Sequence, residues 1–117
     1  MKCRIGEINI VCTDVERSLR FYRDLLGFEI VEQEEDAYHL RCGESMLLLL
    51  PEAKSESDRS PYCQVATISF DILVPDISEA VKIFRLAGVE FASDWASGDS
   101  LVFVRDPDGL VLEVIQG

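Results

Sequence analysis

A chain of 117 residues with 22 acidic and 11 basic side chains carries a formal charge of −11. That length suffices for one domain with a hydrophobic core, and so acidic a balance excludes nucleic acid as the expected partner, because phosphate binding needs clustered Lys and Arg. The longest apolar run, MLLLL at residues 46–50, is far short of a membrane span, so no membrane partner is expected either.

The start, MKCRIGE, lacks the apolar core of a secretory signal. Cys3, Cys12, Cys42 and Cys63 show no metal-type spacing. Together these features predict reduced thiols and a cytoplasmic protein.

Residues 7–12 (EINIVC) alternate and are β-branched, which predicts a half-buried strand. Thr13 or Asp14 caps the following helix, in which Leu19, Tyr22, Leu25 and Leu26 recur at helical spacing and Gly27 supplies the left-handed end. A second strand starts at residues 28–31, and residues 32–36 read as a polar turn. Residues 37–42 and 45–50 read as a hairpin about Gly43-Glu44, a type II′ pattern. Residues 52–61 (EAKSESDRSP) are charged and poor in apolar side chains.

A second copy follows. Residues 64–74 read as its first strand and Pro75-Asp76 opens its helix, with Val81 and Phe84 in the inward positions of Leu19 and Tyr22. Residues 90–95 read as a strand, residues 96–99 as a loop, and residues 101–105 and 110–115 as a hairpin about Asp106-Pro107-Asp108-Gly109. From Asp14 to Gly27 the first helix is one residue longer than its counterpart from Asp76 to Gly88.

The fold class is therefore α+β: paired βαβββ modules, the first at about 1–51, a linker at about 52–62 and the second at about 63–117. Alternation puts Ile8, Ile10, Leu47, Leu49, Ile68, Phe70, Ile72, Leu112 and Val114 under the helices. It puts Glu7, Asn9, Ser69, Asp71, Val111 and Glu113 on the opposite face. With Cys42 opposite Ser45, His39 faces Leu48 and shares that face. With Arg105 opposite Leu110, Val102 faces Glu113. Trp95 stands before the loop at residues 96–99, where a flat ring has access to a ligand, although ordinary packing explains it equally well.

The stretch from Asp14 to Gly27, with Phe21-Tyr22 and Leu25-Leu26-Gly27-Phe28, and the D-P-D-G turn followed by Glu113 resemble the vicinal oxygen chelate superfamily. That group includes glyoxalase I, bleomycin-resistance proteins, fosfomycin-resistance enzymes and extradiol dioxygenases. The resemblance implies a curved mixed β-sheet cleft, a homodimer and one metal ligand on each of four strands. The corresponding positions here are Glu7, Leu48, Ser69 and Glu113.

Two carboxylates, one hydroxyl and one leucine make a poor set for a divalent ion, which usually takes about three protein ligands. The reading is therefore a binder of a small, partly apolar organic molecule without a tightly bound metal. Its ligand-binding residues are Asn9, His39, Leu48, Ser69, Asp71, Trp95, Val102 and Val111. The alternative is a glyoxalase-like lyase, isomerase or epimerase using Glu7 and Glu113 as catalytic carboxylates. In that case a divalent ion (Ni, Zn, Mn or Mg) would have Glu7 and Glu113 as ligands, with His39 as a further candidate. An interaction module using residues 52–61 is a third class. A dioxygenase fits least, because its iron site takes two histidines and His39 is the sole one.

Overall fold

The computed structural model describes all residues, 1–117. Two compact units are present, Met1–Glu56 and Ser57–Gly117, each with a four-stranded mixed sheet.

In the first unit, β1 (Ile8–Val11) leads to α1 (Val15–Leu19), which continues as a π-helical segment at Arg20–Leu25. β2 (Glu29–Glu34), β3 (Ala37–Cys42) and β4 (Ser45–Leu50) follow. The strand order is β1-β4-β3-β2, with β1 parallel to β4 and the other pairs antiparallel. Asp14 caps α1 by accepting the Arg17 backbone N–H at 3.2 Å. The extra residue of this helix is absorbed by wider turns: the Leu26 N–H donates to the Phe21 carbonyl and the Phe28 N–H to the Tyr22 carbonyl, both at 3.0 Å. Leu19 and Tyr22 are thereby buried with Ile10, Leu40, Leu47 and Leu49.

β2 extends three residues beyond the expected strand, through Glu32, Gln33 and Glu34. A bulge at Val31 shifts the pairing from Ile30↔Leu40 to Glu32↔His39. The strand lies at the sheet edge with every residue exposed, so its carboxylates stay in water while its backbone pairs. The turn falls at Glu35, with φ +57°.

The second unit has β5 (Phe70–Val74), α2 (Ile77–Leu86), β6 (Glu90–Phe91), β7 (Leu101–Arg105) and β8 (Val111–Gln116) in the order β5-β8-β7-β6. Asp76 caps α2 through the Glu79 N–H at 3.2 Å. Ile77, Ala80, Val81 and Phe84 of α2 are buried, as are Val102, Val104, Leu112 and Val114 of the sheet. Each such apolar side chain contributes roughly 1.5–3 kcal/mol of burial free energy.

Two expectations fail here. β5 starts at Phe70 and not at residue 64, and Ile68 is 89% exposed instead of packed under α2. The register gives the reason: Phe70 pairs with Leu112, and β8 begins only at Val111 after the turn, so residues before 69 have no strand to bond. β6 likewise ends at Phe91. The Ala92 N–H still donates to the Phe103 carbonyl, but the Phe103 N–H goes to the Ser93 hydroxyl, which ends the ladder.

The repeat is visible in the parallel registers, where Asn9↔Leu48 in one unit corresponds to Asp71↔Glu113 in the other.

Candidate functional site

In each unit a helix covers one sheet face and the other carries the residues of interest. In the first unit Asn9, Leu48, His39 and Glu32 are successive partners across β1, β4, β3 and β2, so they form one row. Glu7 precedes β1 on the same parity. His39 reaches past β4: its Nδ1 lies 2.7 Å from Glu7 Oε2 and its Nε2 lies 3.1 Å from Glu34 Oε2. Both contacts are hydrogen bonds only when both ring nitrogens carry protons. The bond to Glu7 first, and that to Glu34 next, accordingly hold the imidazole pKa above its ordinary value. The sequence placed His39 on this face; its bracketing by two carboxylates depends on the Val31 bulge, which brings β2's acidic end within reach.

In the second unit, Asp71 pairs with Glu113 and Glu113 with Phe103. Asp71 and Glu113 therefore stand side by side as like charges, an arrangement that opposes folding. Val111 pairs with Arg105. The Ser69 hydroxyl donates to the Val111 carbonyl at 2.8 Å.

Val102 does not face Glu113. It pairs with Val114 and is fully buried on the helix side. The expected pairing of Arg105 with Leu110 is one residue off. The Gly109 N–H closes the turn on the Asp106 carbonyl at 3.0 Å and the Asp106 N–H donates to the Leu110 carbonyl at 2.8 Å. Gly109, at φ +89°, is thus the extra residue of a bulged hairpin. A one-residue slip exchanges the two faces, so the residues missed were Phe103 and Arg105. The glycine after D-P-D was the signal that a bulged turn was available.

Trp95 has contacts that fit its packing alternative. Its Nε1–H donates to the Asp99 carbonyl at 3.1 Å, and the Arg85 guanidinium of α2 lies 5.9 Å from its ring centroid. The ring packs beside the helix.

Residues 57–68 lie over the open face near Arg105. The Ser57 N–H donates to the Asp108 carbonyl at 2.8 Å, and the Tyr62 and Phe103 rings are 4.9 Å apart. Arg105 is 8% exposed. Its Nη1 donates to the Gly109 carbonyl at 2.8 Å, its Nη2 to the Ser60 carbonyl at 3.4 Å, and its Nε lies 3.4 Å from Glu90 Oε2. A cavity of about 210 Å³ lies between this segment and the sheet, lined by Tyr62, Val65, Arg105, Leu110 and Val111 among others.

The donor set does not fit a metal centre. Leu48 has no donor atom, Ser69 offers only a neutral hydroxyl, whose hydrogen goes to the Val111 carbonyl, and Glu7 Oε2 lies on His39. Neither unit gathers three His, Cys, Asp or Glu side chains in a metal-binding arrangement. Glu7 and Glu113 belong to different units.

Among curated proteins the chain is 29% identical over 116 residues to catechol-2,3-dioxygenase of Bacillus subtilis, covering 94% of this chain but spanning only 40% of that relative's length. It is 27% identical to virulence protein STM3117 of Salmonella typhimurium, covering 97% of this chain and 83% of the relative. Among solved structures, glyoxalase I of Leishmania major superposes with a TM-score of 0.79 at 25% identity, over 97% of this chain and 86% of that one. The fosfomycin resistance protein FosX of Listeria monocytogenes superposes at 0.76 with 16% identity, over 100% and 94%, a likeness of fold alone. Two sheets of matching topology, two capped helices and a match of residues 4–114 to the family model lead to one conclusion: the chain belongs to the Glyoxalase/Bleomycin resistance protein/Dioxygenase superfamily.

Proposed function

We propose that the chain binds a small, partly apolar organic molecule on the open face of its sheets, without a tightly held metal ion. The donor set carries this reading: of Glu7, Leu48, Ser69 and Glu113, only the two glutamates are strong donors, and Glu7 Oε2 already lies on His39. Two carboxylates are fewer than the about three protein ligands a divalent site usually takes. A homodimer in the cytoplasm accompanies the proposal, supported by the single-neighbour edges of β1 and β5 and by four free cysteines.

The test is a melting curve of chelated protein with and without excess manganese, nickel or zinc, alongside native mass spectrometry for a co-purified small molecule. An unchanged midpoint with every ion supports the proposal. A rise that vanishes in Glu113→Gln overturns it, since an ion that binds only the folded state stabilises by mass action.

The juxtaposition of Asp71 with Glu113 favours a second reading, a lyase or isomerase. A carboxylate on a ligand-facing strand is the kind of group that acts as a base next to a carbonyl. The likeness to glyoxalase I supports the same class. Loss of turnover in Glu113→Gln with ligand binding retained is the result expected of that reading.

A further inference from the structure

The cavity beneath residues 57–68 has the marks of a built ligand site. Its volume, about 210 Å³, exceeds the roughly 150 Å³ that already admits a benzene ring in an apolar cavity. Its roof is held in a costly shape: Arg59 and Cys63, at φ +58° and +71°, are two of the three non-glycine residues with positive φ. Such conformations cost about 1–3 kcal/mol each and cluster at ligand clamps.

One lining residue keeps polar capacity. A guanidinium has five N–H donors, and three of those on Arg105 are engaged, by Gly109, Ser60 and Glu90. The remaining two belong to a buried side chain that lines the cavity. The Tyr62 ring, stacked near Phe103, supplies a flat wall.

Charge selects the class of ligand. Arg105 faces Glu90, and Arg59 holds the same carboxylate at 2.9 Å. Asp58 lines the cavity as well, held ionised by hydrogen bonds from the Ser60 backbone and hydroxyl. With Asp106 and Asp108 buried in the adjoining turn, carboxylates outnumber the two guanidiniums around the cavity. An incoming anion would therefore find no net positive field, inside a chain of net charge −11. A neutral oxygen acceptor can use the free N–H groups without that penalty.

We propose that this cavity binds a small flat molecule bearing a neutral carbonyl, with the oxygen on Arg105 and the apolar body among Tyr62, Val65, Leu110 and Val111. This rests on the open face being a ligand-binding face and specifies the ligand class for it.

Benzamide and benzoate differ in charge and little in shape, so they are the probes. Backbone amide shifts of the intact chain are followed during titration with each. Benzamide is expected to bind with a millimolar Kd, moving the resonances of Tyr62, Val65 and Leu110, and benzoate at least fivefold more weakly. Arg105→Lys should weaken benzamide by up to about tenfold, the worth of one lost hydrogen bond. Because Arg105 is buried, the exposed Val65→Trp, which fills the cavity mouth, is the companion variant and should abolish the shifts without unfolding the chain. Tighter binding of benzoate, or benzamide shifts that persist in Val65→Trp, overturn the proposal. Shifts confined to Asp71 and Glu113 overturn it too while leaving the sheet-face reading intact. No benzamide shift at any resonance overturns the cavity site alone, since the metal-dependent melting curve tests the sheet-face reading separately.

Discussion

The two units are copies in topology and differ in three places. The first helix carries a π-helical segment where the second is a plain α-helix. The first hairpin turns in two residues, Gly43 and Glu44, and the second needs the bulge glycine Gly109. The first open face is crossed by a Glu7–His39–Glu34 chain, whereas the second pairs two carboxylates beside an arginine-floored cavity. Extra residues were absorbed where they leave the buried set in place: Tyr22 and Phe84 are both inward despite the inserted residue. The open faces, with no helix packed on them, diverged.

The hairpins give the largest expected effect. Gly109→Ala must hold alanine at φ +89° with its Cβ 3.0 Å from Arg59 Cζ. A loss of about 2 kcal/mol or more is expected. Gly43→Ala, at φ +59° in open space, should lose only about 1 kcal/mol. Denaturant melts of the two variants test the ranking, and equal losses would remove the distinction between the turns.

The caps come next. Asp76 accepts from the Glu79 N–H and from the Ser78 hydroxyl, which hold its carboxyl below the usual range, the backbone bond foremost. Asp14→Ala is expected to cost about 1 kcal/mol and Asp76→Ala somewhat more. Because the folded pKa of Asp76 is depressed, its contribution is present above the ordinary carboxylate pKa and lost as pH falls through the folded value. The gap between Asp76→Ala and wild type should therefore close in acid melts.

Asp71→Asn removes a like-charge neighbour of Glu113. It should stabilise by roughly 0.2–1 kcal/mol, and high salt should shrink the gain. A destabilised variant would show that the pair is not in repulsion.

The smallest effect on stability is that of His39, because the surrounding charges are partly exposed and screened. As the sole histidine, it titrates alone in a proton spectrum. Its midpoint should lie above the ordinary 6.5, with Glu7→Gln lowering it more than Glu34→Gln. Its contribution to stability is complete below the unfolded value and disappears as pH rises through the raised folded value.

Much of this fold was legible because the signals are local. Asp14 and Asp76 name two helix starts, and the alternation of Leu47 and Leu49 names a core face. Gly43-Glu44 fixed one register correctly and thereby placed His39 opposite Leu48. The second register failed at one residue, because D-P-D-G can close either as a simple four-residue turn or as one followed by a bulge. That choice moved Val102 into the core and put Phe103 and Arg105 on the open face. Ile68 was misplaced for a different reason: its alternation reads as strand, but no partner strand extends that far.

Backbone periodicity, caps and glycine positions act over a few residues, so the sequence by itself determined the paired βαβββ plan, the helix ends and most of the buried set. The carboxylates on His39, the partner of Ser69, the neighbour of Glu113 and the path of residues 57–68 were decided only by the tertiary structure. Each depends on which side chains of distant strands come within about 3 Å in space, and a bulge or a strand that starts one residue later resets that distance without altering the local pattern.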